Sequence, residues 1–295
     1  MQTQKLGVKG IRGDSVFQLL NAAFLSLISV SMLLPFIHIA AKSLSDQSYV
    51  VAKDVWLWPR GLNFSSYDFV LSYKQFYVSF GNSLFITVVG TLISMAVTLL
   101  AAYPLARNGL PYRRFMMLIF VITMFFSGGL IPTYLIVKDV GLLNSLWSVI
   151  LPGALAPFNL ILIRNFFSGL PEAMEESARM DGASSLRILA QIYVPLSMPA
   201  IATISMFYAV GYWNSFFQAM MYLTDRSLMP LQVFLLQLVS NDKPADMVVN
   251  DVLSGVTPES MRAAAIICVV LPILCVYPFI QRYFVKGIML GAVKG

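Results

Sequence analysis

The sequence predicts an all-α fold: a polytopic transmembrane helical bundle with six spans and both termini cytoplasmic. Three observations predict it. Of 295 residues, 58% are hydrophobic and only 12% charged, against roughly 45–50% and about 25% in an average soluble domain. Mean hydropathy is +0.76. The scarce charges are also unevenly spread, leaving six long runs free of Asp, Glu, Lys and Arg. This balance excludes a soluble globular enzyme, a disordered chain and a disulfide scaffold.

Each run is compared with the roughly 20 apolar residues that a helix needs to cross a bilayer. Ser15–Ala41 follows a basic start of Lys5, Lys9 and Arg12. It exceeds the ~7–15 apolar residues of a signal-peptide core, so it reads as an uncleaved first span over 15–41. Gln75–Ala106, Phe115–Val137 and Val140–Ile163 give spans over 78–106, 115–137 and 144–166. Gly128, Gly129 and Pro132 interrupt the third, as a kink or as its outer end. Ile188–Thr224 carries Pro195 and Pro199 near its start, so it reads as a lead-in segment and one span over 198–224. Ala263–Gln281 supplies the last, over 262–282. Ser227–Asn241 is too short to span and reads as interfacial or re-entrant. The whole chain, 1–295, forms one transmembrane domain.

Cys268 and Cys275 share the last run. Seven residues of helix separate them by about 10.5 Å, too far for a disulfide, so they read as apolar thiols. With the N-terminus inside, twelve of the twenty basic residues and five of the fourteen acidic ones fall on the cytoplasmic side. The net charge of +6 is therefore a membrane-orientation signal, and no nucleic-acid partner is expected. The spans hold one ionisable candidate, His38, which reads as packed or interfacial; an ion- or proton-coupled path would carry more. There is no G-x-x-x-x-G-K-[ST] phosphate loop and no metal-ligand spacing. The chain itself is expected to hold no cofactor and to do no enzymatic chemistry, and its energy to come from a partner.

The cytoplasmic segment 169–197 carries the strongest signal. Pro171 suits a first helical position, and Glu172, Glu175 and Glu176 suit a helix N-terminus. Asp181-Gly182 is a turn dipeptide. A second short helix is expected from Ser184 toward Tyr193, ended by Pro195. The product is a helix–turn–helix across the cytoplasmic surface. Ala178, Gly182 and Ala183 are small enough for another protein to approach closely, and Glu176, Arg179 and Asp181 offer charges to fix its register.

Glu176-Ser177-Ala178-Arg179-Met180-Asp181-Gly182-Ala183, followed by Ile192-Tyr193-Val194-Pro195, resembles the "EAA" loop of bacterial ABC importer permeases. Ser177 stands where that pattern usually has Ala. Asn82-Ser83-Leu84, Ala102-Tyr103-Pro104-Leu105-Ala106-Arg107 and Tyr212-Trp213-Asn214 resemble the carbohydrate-uptake branch, similar to the second permease of maltose-type systems. Phe126–Tyr134 and Lys286–Gly295 resemble a narrower group handling oligosaccharides from polysaccharides such as pectins, mostly in Gram-positive bacteria. The resemblance implies a type I ABC importer permease fold and ATPase coupling through Glu176, Ser177, Ala178, Arg179, Asp181, Gly182, Ala183, Ile192 and Pro195. It also implies a second, different permease, two ATP-binding subunits that use ATP and Mg, and an extracellular substrate-binding protein.

A path for neutral, polar sugars needs hydroxyls, amides and aromatic faces. Ser127, Tyr134, Asn159, Tyr208, Tyr212, Trp213, Asn214 and Gln218 supply them. Asn214 and Gln218, four apart, are expected to share a helix face that lines a cavity. Interhelical hydrogen bonding is an equal reading, and Tyr and Trp near span ends also serve as interface anchors. The outer loops Lys42–Lys74, with Trp56, Trp58, Phe64 and Tyr67, and Asp225–Arg262 are candidate docking faces for the binding protein. The basic C-terminal tail is either an ATPase contact or a positive-inside anchor. Other readings are an ABC permease for a polyol, glycerol phosphate or amino acid, an ion-coupled secondary transporter, and an assembly subunit without a path of its own.

Overall fold

The structure, a computed structural model, describes residues 11–239 and 256–292. Among these residues it is helical, with one isolated bridge between Ser45 and Leu62. Among the described residues three helices are long and apolar enough to cross a membrane, or up to six if each bent pair counts as one span. The chain divides into two units, one of residues 1–72 and 244–268, the other of 73–243 and 269–295.

In the first unit α1 (Ile11–Ser43) holds the long apolar stretch Phe17–Ser43. Its large side chains, such as Phe17, Leu19 and Leu27, are exposed, as expected of a helix whose solvent is lipid. The Lys42–Lys74 segment is folded rather than loose. It forms α2 (Gln47–Val51) and α3 (Ser65–Ser72). Asp46 caps α2, its carboxylate accepting from the Ser48 amide at 3.0 Å and the Ser48 hydroxyl at 2.6 Å; these bonds hold its pKa below the ordinary value. His38 Nδ1 lies 2.7 Å from the Trp56 carbonyl, which matches a packed histidine. Trp56 and Trp58 remain exposed.

The second unit is built around α4 (Lys74–Ala106), whose small and hydroxyl residues Ser79, Ser83, Gly90, Ser94 and Thr98 let other helices close in. Then follow α5 (Arg113–Phe125), α6 (Leu130–Asp139), α7 (Trp147–Ile150) and α8 (Pro157–Ser168). The 115–137 run is not one straight helix. α5 and α6 are bent by 113° at Phe126–Gly129, where Gly129 takes a φ of +88°. The 144–166 run is likewise two pieces, bent by 50°.

Next come α9 (Glu172–Met180), α10 (Ser185–Ile188), α11 (Val194–Leu196), α12 (Met198–Trp213), α13 (Phe216–Tyr222) and α14 (Leu231–Val239). Two expectations are corrected here. Pro171 is the cap of α9, not its first residue. Pro195 does not end the second short helix: a π-turn over Leu189–Tyr193 runs into α11, and the 89° bend falls at Ser197 instead. The wider π-turn accommodates a proline that has no N–H to donate and would crowd the carbonyl four residues back. The Ser227–Asn241 segment supplies α14, which buries Leu231, Val233, Phe234 and Leu238. The Leu231 amide donates to Ser83 Oγ at 2.7 Å, so α14 is bonded to α4 as a packed element.

The last helix, α15 (Pro258–Ala292), starts in the first unit and ends in the second. Thr257 Oγ1 accepts from the Ser260 amide at 3.3 Å at its start. Both cysteines lie on it as free thiols. Residues 293–295 of the basic tail and 240–255 of the Asp225–Arg262 loop lie outside the described residues.

Within the second unit, Ile86, Ile150, Leu160, Ile163, Phe167, Ile188 and Ile204 form the centre of one apolar core. Polar rungs cross it. Tyr212 Oη lies 2.8 Å from Ser94 Oγ and donates to the Ile150 carbonyl at 3.0 Å. Tyr208 Oη lies 2.8 Å from Thr98 Oγ1 and accepts from the Ala156 amide at 3.0 Å.

Candidate functional site

The segment 169–197 folds into a surface helix–turn–helix. α9 ends because Gly182 adopts a φ of +76°, a conformation that glycine takes without the Cβ clash. The Gly182 amide donates to the Arg179 carbonyl at 3.0 Å and the Ala183 amide to the Ala178 carbonyl at 2.9 Å, a Schellman end that satisfies the last carbonyls. Ser184 then caps α10, its hydroxyl accepting from the Arg187 amide at 3.4 Å. Glu176, Ser177, Arg179, Asp181, Gly182 and Pro195 are exposed; Ala178, Ala183 and Ile192 are half-buried. Met180 and Leu186 are 88% and 66% exposed, so the motif presents apolar side chains beside its charges.

The buried residue that ties this motif to the helices is Glu175, beside an exposed bond from Asn108 to Glu172; sequence reasoning used Glu175 only as a helix-start acid. It is 7% exposed. Its Oε1 takes Arg107 Nη2 at 2.5 Å, Arg179 Nε at 3.1 Å and Tyr103 Oη at 3.4 Å. Its Oε2 accepts from Tyr193 Oη at 2.8 Å. The Arg107 guanidinium lies 5.3 Å from the Tyr103 ring centre, and Tyr193 packs edge-on against Tyr103 and Phe167 at 5.0 and 5.1 Å. Burial pushes the Tyr193 phenol pKa up, and its bond to Glu175 adds to this. The bond to Glu175 also raises Arg179. A buried carboxylate paired with two guanidiniums and two phenols has its charge and lone pairs met. The usable sequence signals were spacings: Glu175 and Arg179 one turn apart, and Tyr103 and Arg107 one turn apart at the end of α4.

A second feature is a cavity of about 550 Å³ among α6, α8, α12 and α13. Ser127, Asn159, Tyr208, Tyr212 and Gln218 line it, with Thr133, Ser215, Phe207, Phe217 and Tyr222. No Asp, Glu, Lys or Arg is among its lining residues. Tyr134 is not in the wall; it stacks on Tyr222 at 6.2 Å. The expected shared face of Asn214 and Gln218 does not exist. α12 ends at Trp213, and Asn214 Nδ2 turns back to the Val210 carbonyl at 2.9 Å, so Gln218 sits on the separate helix α13. Trp213 is buried against Phe80 at 6.3 Å, away from the cavity wall, and its indole N–H has no partner among the described residues. No cluster of metal-ligating side chains exists among the described residues.

The family model for "Binding-protein-dependent transport system inner membrane component" matches residues 75–290. The chain is 44% identical over 286 residues to the polygalacturonan/rhamnogalacturonan transport system permease protein YtcP of Bacillus subtilis (strain 168), covering 96% of this chain and 99% of that one. It is 42% identical to Protein LplC of the same organism, covering 96% and 97%. Among solved structures it resembles a chain of a bacterial ABC transporter involved in the import of the acidic polysaccharide alginate. The TM-score is 0.88 at 34% identity, over 96% of this chain and 100% of that one. Relatives of this kind are transport proteins rather than enzymes, and they work with a further permease, ATPases and a substrate-binding protein. With its apolar helices and this match over most of its length, the chain belongs to the inner membrane components of binding-protein-dependent transport systems, as an ABC importer permease.

Proposed function

We propose that this chain is one of two different permeases of an ATP-driven importer for oligosaccharides, such as those released from pectin-like polysaccharides. It forms half of the translocation path by alternating access. Two ATP-binding subunits, which consume ATP with Mg, dock on the 169–197 motif, and an extracellular binding protein delivers the sugar. The coupling residues are Glu176, Ser177, Ala178, Arg179, Asp181, Gly182 and Ala183 on α9 and its turn, with Ile192 and Pro195 behind them. The path is lined by Ser127, Tyr212 and Gln218, with Tyr208 and Asn159; Tyr134 supports the wall through Tyr222.

The observation that carries this reading is the uncharged cavity among α6, α8, α12 and α13, walled by phenols, hydroxyls and amides. Sugar hydroxyls pair with such groups and sugar faces stack on aromatic rings, whereas a proton- or ion-coupled path needs ionisable side chains. The relatives' names supply the cargo class: a polygalacturonan/rhamnogalacturonan permease and an alginate importer. The test is the reconstituted complex with its binding protein, assayed for ATP hydrolysis across candidate oligosaccharides. Stimulation by at least one is expected. Stimulation by none, with uptake driven by an ion gradient, refutes the proposal.

A further inference from the structure

We propose that Glu175 is the positioning residue through which displacement of the 169–197 motif is passed to α4, and so to the wall of the path. This rests on the reading of that motif as the coupling surface. α9 could have been tied to the bundle by apolar contact alone, which lets a short surface helix slide at little cost. Instead it carries a carboxylate that is 7% exposed and whose partners lie on three different elements. Arg107 and Tyr103 end α4, Arg179 lies one turn along α9, and Tyr193 belongs to the π-turn that leads into α11 and α12. Pulling α9 from α4 by about 1.5 Å or more stretches the 2.5 Å contact with Arg107 and the 3.4 Å contact with Tyr103 past hydrogen-bond range; Arg179 travels with α9, but a buried carboxylate that loses one of its two guanidiniums is strongly unfavourable. α9, the end of α4 and the π-turn must therefore move together.

α4 is also the element that carries Ser94 and Thr98, bonded to the cavity-lining Tyr212 and Tyr208. A short chain of discrete contacts thus connects the exposed charges of α9 with the cavity wall. Glu176, one residue on, faces solvent and is left for the partner. The two adjacent glutamates divide the work: Glu176 outward, Glu175 inward.

The experiment uses the full complex with its ATP-binding subunits and binding protein, and reads sugar transported per ATP hydrolysed. Glu175→Gln keeps the shape and removes the charge facing Arg107 and Arg179. The expected result is a fall of about tenfold or more in transport per ATP in complexes that assemble. A purely structural role would lower transport and hydrolysis together, in proportion to assembled complex, and leave the ratio alone. Glu175→Gln complexes with the wild-type ratio overturn the proposal. Where Glu175→Gln does not assemble, Tyr193→Phe, which removes one hydroxyl and leaves both ion pairs, decides: a lowered ratio supports the proposal and a wild-type ratio overturns it. A cysteine placed by Ala183→Cys separates the two levels. Cross-linking to an ATP-binding subunit with a wild-type ratio in the Glu175 variant refutes this inference alone; absence of cross-linking refutes the coupling surface itself.

Discussion

Gly90 sits where α4 meets α12, and a methyl group there has nowhere to go. A Cβ built on Gly90 would lie 2.8 Å from Tyr212 Cε2 and 2.9 Å from Cδ2 and Cζ. Carbon atoms pack best at about 3.5–4.0 Å, so ring and helix would have to part by about 0.7 Å or more. The ring cannot simply swing away, because its hydroxyl is bonded to Ser94 and to the Ile150 carbonyl. Overpacking of this kind destabilises by about 1–3 kcal/mol. Against it stands the gain of about 1 kcal/mol for replacing a helical glycine by alanine. Gly90→Ala should therefore lose about 1 kcal/mol net. In a Tyr212→Leu background the ring is gone, and the same substitution should gain about 1 kcal/mol. The assay is thermal unfolding of the purified complex in detergent for the four variants of this cycle. Stabilisation by Gly90→Ala in the wild-type background, or an equal effect in both backgrounds, would refute the reasoning.

Three further outcomes are expected. Gly182→Trp should uncouple ATP hydrolysis from uptake, since its φ of +76° suits glycine and the turn faces the proposed partner; unchanged uptake by an assembled complex would contradict this. Ser83→Ala should speed hydrogen exchange at the Leu231 amide, which loses its 2.7 Å acceptor, and destabilise by about 1–3 kcal/mol for a buried donor left unpaired. Asp46, whose folded pKa is depressed chiefly by the Ser48 hydroxyl, stabilises the α2 cap above its unfolded pKa. That stabilisation is lost as pH falls through the lower folded value. Exchange at the Ser48 amide should rise over that acid range, and should not do so in Asp46→Asn.

The all-α class and the apolar helices were legible because charge cannot be hidden in hydrocarbon: each run, such as that between Asp14 and Lys42 or between Lys74 and Arg107, marks itself. The helix–turn–helix was legible from Gly182 and the acids before it, since a glycine readily takes the positive φ that ends many helices and a helix start prefers negative charge. The breaks inside runs were harder. Nothing in Phe126–Gly129 distinguishes a 113° bend from a helix end. The stop at Asn214 depends on its side chain turning back to Val210, a local choice that four-residue spacing does not report. Glu175 was invisible as a hub because its partners lie 72, 68 and 18 positions away in the chain, on Tyr103, Arg107 and Tyr193. Burial of a charge is a tertiary property. Of the cavity, the residue types were readable but not the wall: Tyr212 and Gln218 line it, while Trp213 between them faces Phe80.

The two hydroxyl rungs between α4 and α12 set how those helices can travel. Ser94 and Thr98 are one turn apart, as are Tyr212 and Tyr208, and they pair in opposite order. A slip of α12 along α4 by less than a turn breaks both rungs at once. A slip of one full turn, about 6 Å, re-forms a rung, with Thr98 meeting Tyr212 or Ser94 meeting Tyr208. The present register is the one that keeps both rungs, together with the bonds from Tyr212 to the Ile150 carbonyl and from the Ala156 amide to Tyr208; a full-turn slip recovers one rung and loses the rest.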